Sequence, residues 1–245
     1  MATSETALRA INAYGGIAFW ESVVSIDAVV SAKGLAFTLK GRPFLHHATL
    51  HLEVKKPFSC LTPVGRGPRR LSGVMDGEDT CLLDPNGVSV ARREVARAHF
   101  RRGRRDLYWD ALDLTYFANY AFWNYLTLPM LLMNETIVWE ECDAGVLGGN
   151  FPVSIPTHSR RQMFRFDVET GLLIQHDYTV DIISRFATAA NVVMQHERFG
   201  DCLVASRRRV TPRKRDGIAR NGPVLIDLTI HEFHANREDV RVARG

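Results

Sequence analysis

One stretch in the middle of this chain limits what the rest can build. Between Asp106 and Ser159 there is no lysine or arginine, and residues 114–134 are 21 consecutive uncharged positions. The stretch lacks the period-two alternation of a strand and is too long and too aromatic for a loop. Trp109, Leu112, Tyr116, Phe117, Tyr120 and Trp123 recur three and four residues apart. That spacing predicts helix over 106–133, broken near Pro129, with one large aromatic face. The uncharged run is long enough to cross a bilayer. Asn119, Asn124 and Pro129 dilute it, however, and Asp110 and Asp113 close it, so a buried or interfacial helix pair is predicted in place of a span.

The flanks follow different rules. Residues 6–14 carry Ala7, Leu8, Ile11 and Tyr14 on one helical face, with Ser4 or Thr6 as cap and Gly15-Gly16 as stop. From Val23 the period changes to two: Val24, Ile26, Ala28 and Val30 alternate with more polar neighbours, and Leu50, Leu52 and Val54 do the same. Turn sequences at Asp76-Gly77 and Asp84-Pro85-Asn86-Gly87 divide residues 71–91 into antiparallel strands. After the helices, strands are predicted over 136–141, 162–167, 172–183, 192–199, 203–210 and 224–234. The order is helix, about six strands, helices, then five or six strands. Sequential strands interrupted once by apolar helices predict an α+β chain that is mainly β. Its curved antiparallel sheet would form an open, incomplete barrel covered by the central helices.

With 46% hydrophobic and 24% charged residues the chain can bury a core, which excludes a disordered or fibrous reading. Its net charge of +4 is unevenly distributed. Arg92, Arg93, Arg97, Arg101, Arg102, Arg104 and Arg105 form one basic block, and Arg207, Arg208, Arg209, Arg213, Lys214 and Arg215 form another. Such blocks can face water, phosphates or an anionic membrane surface. Neither carries the interleaved aromatics of an RNA-binding sheet or a helix-turn-helix, so nucleic acid is not a predicted partner. Cys60, Cys81, Cys142 and Cys202 are widely spaced and read as buried free thiols. The first 21 residues lack the pattern of a secretory signal, which leads to the expectation of a cytoplasmic protein.

A family resemblance supports the architecture. The hairpin running from Phe164, Arg165, Phe166 and Asp167 through Gly171, Leu172 and Leu173 to Tyr178 resembles paired strands of the LolA/LolB-like bacterial lipoprotein-carrier group. Residues 196–209 are similar to the next hairpin of that group, although Gly200, Asp201, Cys202 and Leu203 lack its proline. The resemblance implies that residues 1–245 form a single half-barrel domain with a cavity for an acyl chain or another apolar molecule.

Candidate chemistry centres on residues 172–183. Alternation there sends Leu172, Ile174, His176, Tyr178, Val180 and Ile182 to one face, the expected cavity wall, and Leu173, Gln175, Asp177, Thr179 and Asp181 to the other. Trp109, Tyr116, Tyr120, Trp123, His176 and Tyr178 are the predicted ligand-binding residues. The leading function is a soluble binding protein for an apolar or amphipathic small molecule, lipid or acyl-like. The alternative is a cofactor-independent cyclase, isomerase or hydrolase in the same cavity, with His176 as base, Tyr178 or Asp177 orienting or donating, and His158 as a further base. Surface exposure is the simpler expectation for His158, and its neighbour Ser159 points away from it on an extended chain. Asp106, Asp110 and Asp113 share a helical stripe and are expected to cap the helix and bind nearby arginines. His46, His47 and His51, with His231 and His234 on opposite faces of their strand, complete no metal motif. No metal or other cofactor is predicted.

Overall fold

In the computed structural model, residues 4–65, 70–100, 103, 105 and 107–238 are described. Helix α1 (Glu5–Ala13) starts on Ser4, whose side chain accepts from the Ala7 amide, and α2 (Ile17–Ser22) follows the Gly15-Gly16 break. Next come β1 (Val23–Lys33), the short helix α3 (Leu35–Leu39), β2 (Leu45–Glu53), β3 (Phe58–Thr62), β4 (Ser72–Asp76), β5 (Asp79–Leu83) and β6 (Ser89–Arg93). A 3-10 turn at Ala96–Phe100 leads to α4 (Ala111–Leu126) and α5 (Leu128–Met133). The second half holds β7 (Val138–Asp143), β8 (Val146–Asn150), β9 (Arg161–Phe166), β10 (Leu173–Thr179), β11 (Thr188–Phe199), β12 (Cys202–Pro212) and β13 (Ile226–Arg237).

Among the described residues these strands form one 13-stranded antiparallel sheet, ordered β6-β5-β4-β3-β2-β1-β13-β12-β11-β10-β9-β8-β7. Pairing of β1 with β13 joins the two halves of the chain. The unpaired edges, β6 and β7, are the strands that bracket the helical segment in sequence. The sheet is thus open where the helices enter, and α4 fills its hollow.

The amino-terminal half grips α4 through polar contacts. Ser59 donates to the Asn119 carboxamide oxygen (2.7 Å), and Asn119 donates to the Gly73 carbonyl (3.1 Å). Gly73 is required here, because a Cβ would collide with the Thr115 side chain and with Val64. Asp110 and Asp113 form a reciprocal capping box. Arg93 donates to both carboxylates and Arg105 to Asp113, each at 2.7 Å. The aspartate stripe therefore serves the helix start, as its spacing predicts; Asp106 lies outside the described residues. The helix breaks at Thr127, with Pro129 in the first turn of α5.

Four local expectations need correction. Leu35, Phe37 and Leu39, whose alternation after a turn at Gly34 reads as strand, are helical. The predicted strand 172–183 ends at Thr179 and turns before β11. Ile174 is the extra residue of a bulge between the Leu173–Phe166 and Gln175–Arg165 pairs, so Leu173 goes inside and Ile174 is exposed. His231 is likewise the extra residue between the Ile230 and Glu232 pairings, which leaves His231 and His234 both exposed. Strand β8 was not predicted; Gly149 lies there against Trp139 and Phe151, with no room for a Cβ.

Candidate functional site

Behind α4, on the β9–β10 side, lies a buried group of aromatic and polar side chains. His158, 1% exposed, has one ring nitrogen 3.1 Å from the Tyr120 hydroxyl and the other 2.8 Å from that of Tyr125. The Tyr125 hydroxyl is also 2.8 Å from that of Tyr178, whose ring stacks on His158 with centroids 3.8 Å apart. His176 stacks on Phe164 at 4.1 Å and bonds through Nε2 to the Gln162 carboxamide oxygen at 2.6 Å. Gln162 in turn donates to Thr157 and to the Ser159 carbonyl. Burial pushes the His158 pKa down to about 3, with Arg97 adding to the effect, and holds His176 well below its ordinary value. Both imidazoles are neutral near neutral pH. Burial also raises the phenols of Tyr120 and Tyr178 well above their ordinary range and Tyr125 to about 12.

His158 is therefore interior, contrary to the expectation of a surface position: the loop before β9 folds inward beneath α4. Ser159 turns away from it and donates to the Arg161 carbonyl, so no nucleophile–base pair forms. His176 and Tyr178 join the cluster, whereas Asp177 lies on the other face, buried beside Arg165 (3.3 Å) with its pKa raised by burial. Trp109 packs against Phe100 and Phe117 with the Lys40 ammonium over its ring. Trp123 donates to the carbonyls of Glu53 and Lys56, at the far side of the helix.

Beside this cluster opens a cleft of about 640 Å³. It lies between the 3-10 turn after β6 on one side and the loops 152–160 and 181–183 on the other. Val95, Ala98, Phe100, Tyr116, Ile155 and Ile182 line it, with Arg97, Arg160 and Asp181 among its polar groups. Arg97 crosses from one side to the other, donating to the Thr157 and His158 carbonyls at 2.6 and 3.3 Å, with the Tyr116 phenol close enough to feel its charge. Of the six predicted ligand-binding residues, Tyr116 alone lines this cleft; Tyr120, His176 and Tyr178 stand in the buried cluster, and Trp109 and Trp123 pack elsewhere.

The basic blocks are less exposed than expected. Arg93, Arg97 and Arg105 reach inward to carboxylates and carbonyls, and Arg208 is buried between the exposed Arg207 and the half-buried Arg209. Arg101, Arg102 and Arg104 lie outside the described residues. Sequence reasoning missed Tyr125, Gln162 and Arg208. Period two along 204–210 was the signal for Arg208, because it turns the middle arginine to the same side as Val204 and Val210. Among the described residues no three His, Cys, Asp or Glu side chains are placed to hold a metal, and no helix is long and apolar enough to cross a membrane.

Solved structures share this architecture. A LolA superfamily protein from Nitrosomonas europaea superposes with a TM-score of 0.51 at 10% identity, over 96% of this chain and 94% of that one. The chain has a LolA-like fold. Weaker likenesses are a putative outer membrane lipoprotein-sorting protein domain from Vibrio parahaemolyticus (TM-score 0.47, 12% identity, 95% and 91% covered) and a DUF1329 family protein from Desulfovibrio piger (0.41, 12%, 98% and 95%). No family model and no curated protein sequence matches. The cytoplasmic location expected from the amino-terminal residues is withdrawn, since the LolA-like fold does not support it. At this identity the LolA-like likeness speaks to fold alone.

Proposed function

We propose that this LolA-like protein holds an apolar or amphipathic small molecule, of lipid or acyl-like character, in the cleft between the 3-10 turn and the loops 152–160 and 181–183. The observation that carries the reading is the cleft itself. Its volume of about 640 Å³ falls in the range of small-molecule sites, and mostly apolar side chains with a few charged groups line it. Each methylene buried there contributes about 0.8 kcal/mol, against which the loss of free motion on association must be set. Tyr116 and Arg97 supply the polar groups that would orient such a guest.

The acid–base alternative has less support. His158 has both nitrogens engaged and His176 has Nε2 engaged, and both rings are shielded from solvent. Their depressed pKa values fit interior wall groups. Native mass spectrometry of the purified protein, followed by solvent extraction and titration with a fluorescent fatty-acid probe, tests the binding reading. A co-purifying apolar molecule or saturable probe binding is expected, and a protein that carries nothing and ignores the probe would contradict it.

A further inference from the structure

Among the described residues, Arg208 is a buried charge without a counter-charge. It is 3% exposed, and among the described residues its side chain makes one hydrogen bond, from Nη2 to the Tyr125 carbonyl at 3.3 Å. Its guanidinium lies 4.9 Å from the centre of the Tyr125 ring, and its Nε–H has no partner. Among the described residues it makes no ion pair, although Arg207 and Arg209 on either side both reach Asp227. Asn191, on the neighbouring strand β11, is fully buried. It sits close enough to Tyr125 to bear on that phenol, yet neither its amide nitrogen nor its oxygen has a hydrogen bond of normal geometry. A buried cation without a counter-charge and a buried amide without partners are each costly. Here the two line one void.

That void, of about 20 Å³, lies between α4 and the floor formed by β1, β12 and β13. A second void of similar size meets it at Arg208 and Tyr125. Apart from Arg208, Asn191 and the Tyr125 and Tyr14 rings, the walls of both are apolar, with Phe117, Phe122, Leu228 and Val210 on one side of the arginine and Trp20 and Leu126 on the other. We propose that Arg208 and Asn191 form an internal site for one carboxylate group, separate from the cleft. A carboxylate supplies the single negative charge that Arg208 lacks, and its flat pair of oxygens suits the edge of a guanidinium. The Asn191 amide donates to the same group. A tetrahedral dianion exceeds both the space and the charge available. The carboxylate can come from a free small acid or from the head of a fatty acid, for whose tail the apolar walls around these voids of about 20 Å³ would have to part.

The test is thermal melting of the full chain in sodium formate against sodium chloride and sodium gluconate at equal ionic strength. Formate is expected to raise Tm saturably while chloride and gluconate do not, because a ligand that binds only the folded state stabilises it by mass action. In Arg208→Met the apparent affinity for formate should fall by about 10-fold or more, as expected for loss of a charged hydrogen-bond donor. Asn191→Asp places a carboxylate beside the arginine, so it should raise Tm without formate and abolish the formate response. This second variant decides the matter if Arg208→Met fails to fold. Palmitate and palmityl alcohol separate the two sources: a palmitate effect that competes with formate and is absent for the alcohol identifies a fatty-acid head, and a formate effect alone identifies a free acid. Equal curves in formate and chloride, or a formate response that survives in Asn191→Asp, would overturn the proposal. Probe binding in the cleft is measured separately in the same variants, so failure here leaves the cleft reading standing.

Discussion

The two sides of α4 are built differently. Toward β3, β4 and β5 every polar group on the helix has a partner: Asn119 with Ser59 and Gly73, and Asp113 with Arg93 and Arg105. Toward β9–β12 the helix meets a neutral histidine, His158, shared by Tyr120 and Tyr125, an arginine and an asparagine with unfilled bonds, and an open cleft. One side fixes the helix in the hollow of the sheet, and the other leaves unmet capacity for a guest. Substitutions on the two sides should therefore separate stability from binding.

The largest effect is expected at Asp113, fully buried between two arginines. Asp113→Ala leaves those cations without their shared partner, and chemical denaturation should show a loss of about 3–5 kcal/mol. A loss below 1 kcal/mol would mean that the grip lies elsewhere. Gly73→Ala should follow, at about 1–3 kcal/mol, since the new methyl overlaps Thr115. Where either variant still folds, cleft binding should remain near that of the native protein.

Acid should act on the other side. Because the folded pKa of His158 is about 3 and its ordinary value is 6.5, the unfolded chain takes up a proton that the folded one refuses across that interval. Stability is present above pH 6.5 and declines as pH falls toward 3, by about 2 kcal/mol from this residue at pH 5. Denaturation curves of the native protein and of His158→Gln should diverge over this range; parallel curves would contradict a neutral buried imidazole. The smallest effect on stability belongs to Ala98→Trp, at an exposed position on the cleft wall. Its stability should stay within about 0.5 kcal/mol of the native value, as for most surface changes. Probe affinity should nevertheless fall at least about tenfold, the equivalent of roughly 1.4 kcal/mol.

Much of the architecture is readable from period and punctuation. The aromatic spacing from Trp109 to Trp123, the Asp110–Asp113 cap and the alternation of Leu50, Leu52 and Val54 each point to one local structure, and the sheet follows from their order. What is not readable shares a physical cause, namely features set by partners distant in sequence. Gly148 and Gly149 carry no side chain to mark β8, and their place is set by Trp139, Phe151 and Cys142. The bulge at Ile174 shifts the inward face of β10 by one residue in a way that alternation alone cannot reveal. His158 is interior because Tyr120 and Tyr125 receive its nitrogens, and Tyr125 lies off the stripe that the aromatic spacing defines. His176 and Tyr178 were recognised as a polar pair in an apolar wall; what the sequence did not show is that the open space lies beside that wall.

Photo-crosslinking with a diazirine-bearing fatty acid, followed by peptide mapping, tests most directly whether the open side of the helix is where a guest resides. The account predicts label on peptides carrying Ala98, Tyr116, Ile155 or Ile182, lost in Ala98→Trp. Label confined to the outer face of the sheet, or unchanged in that variant, would contradict it.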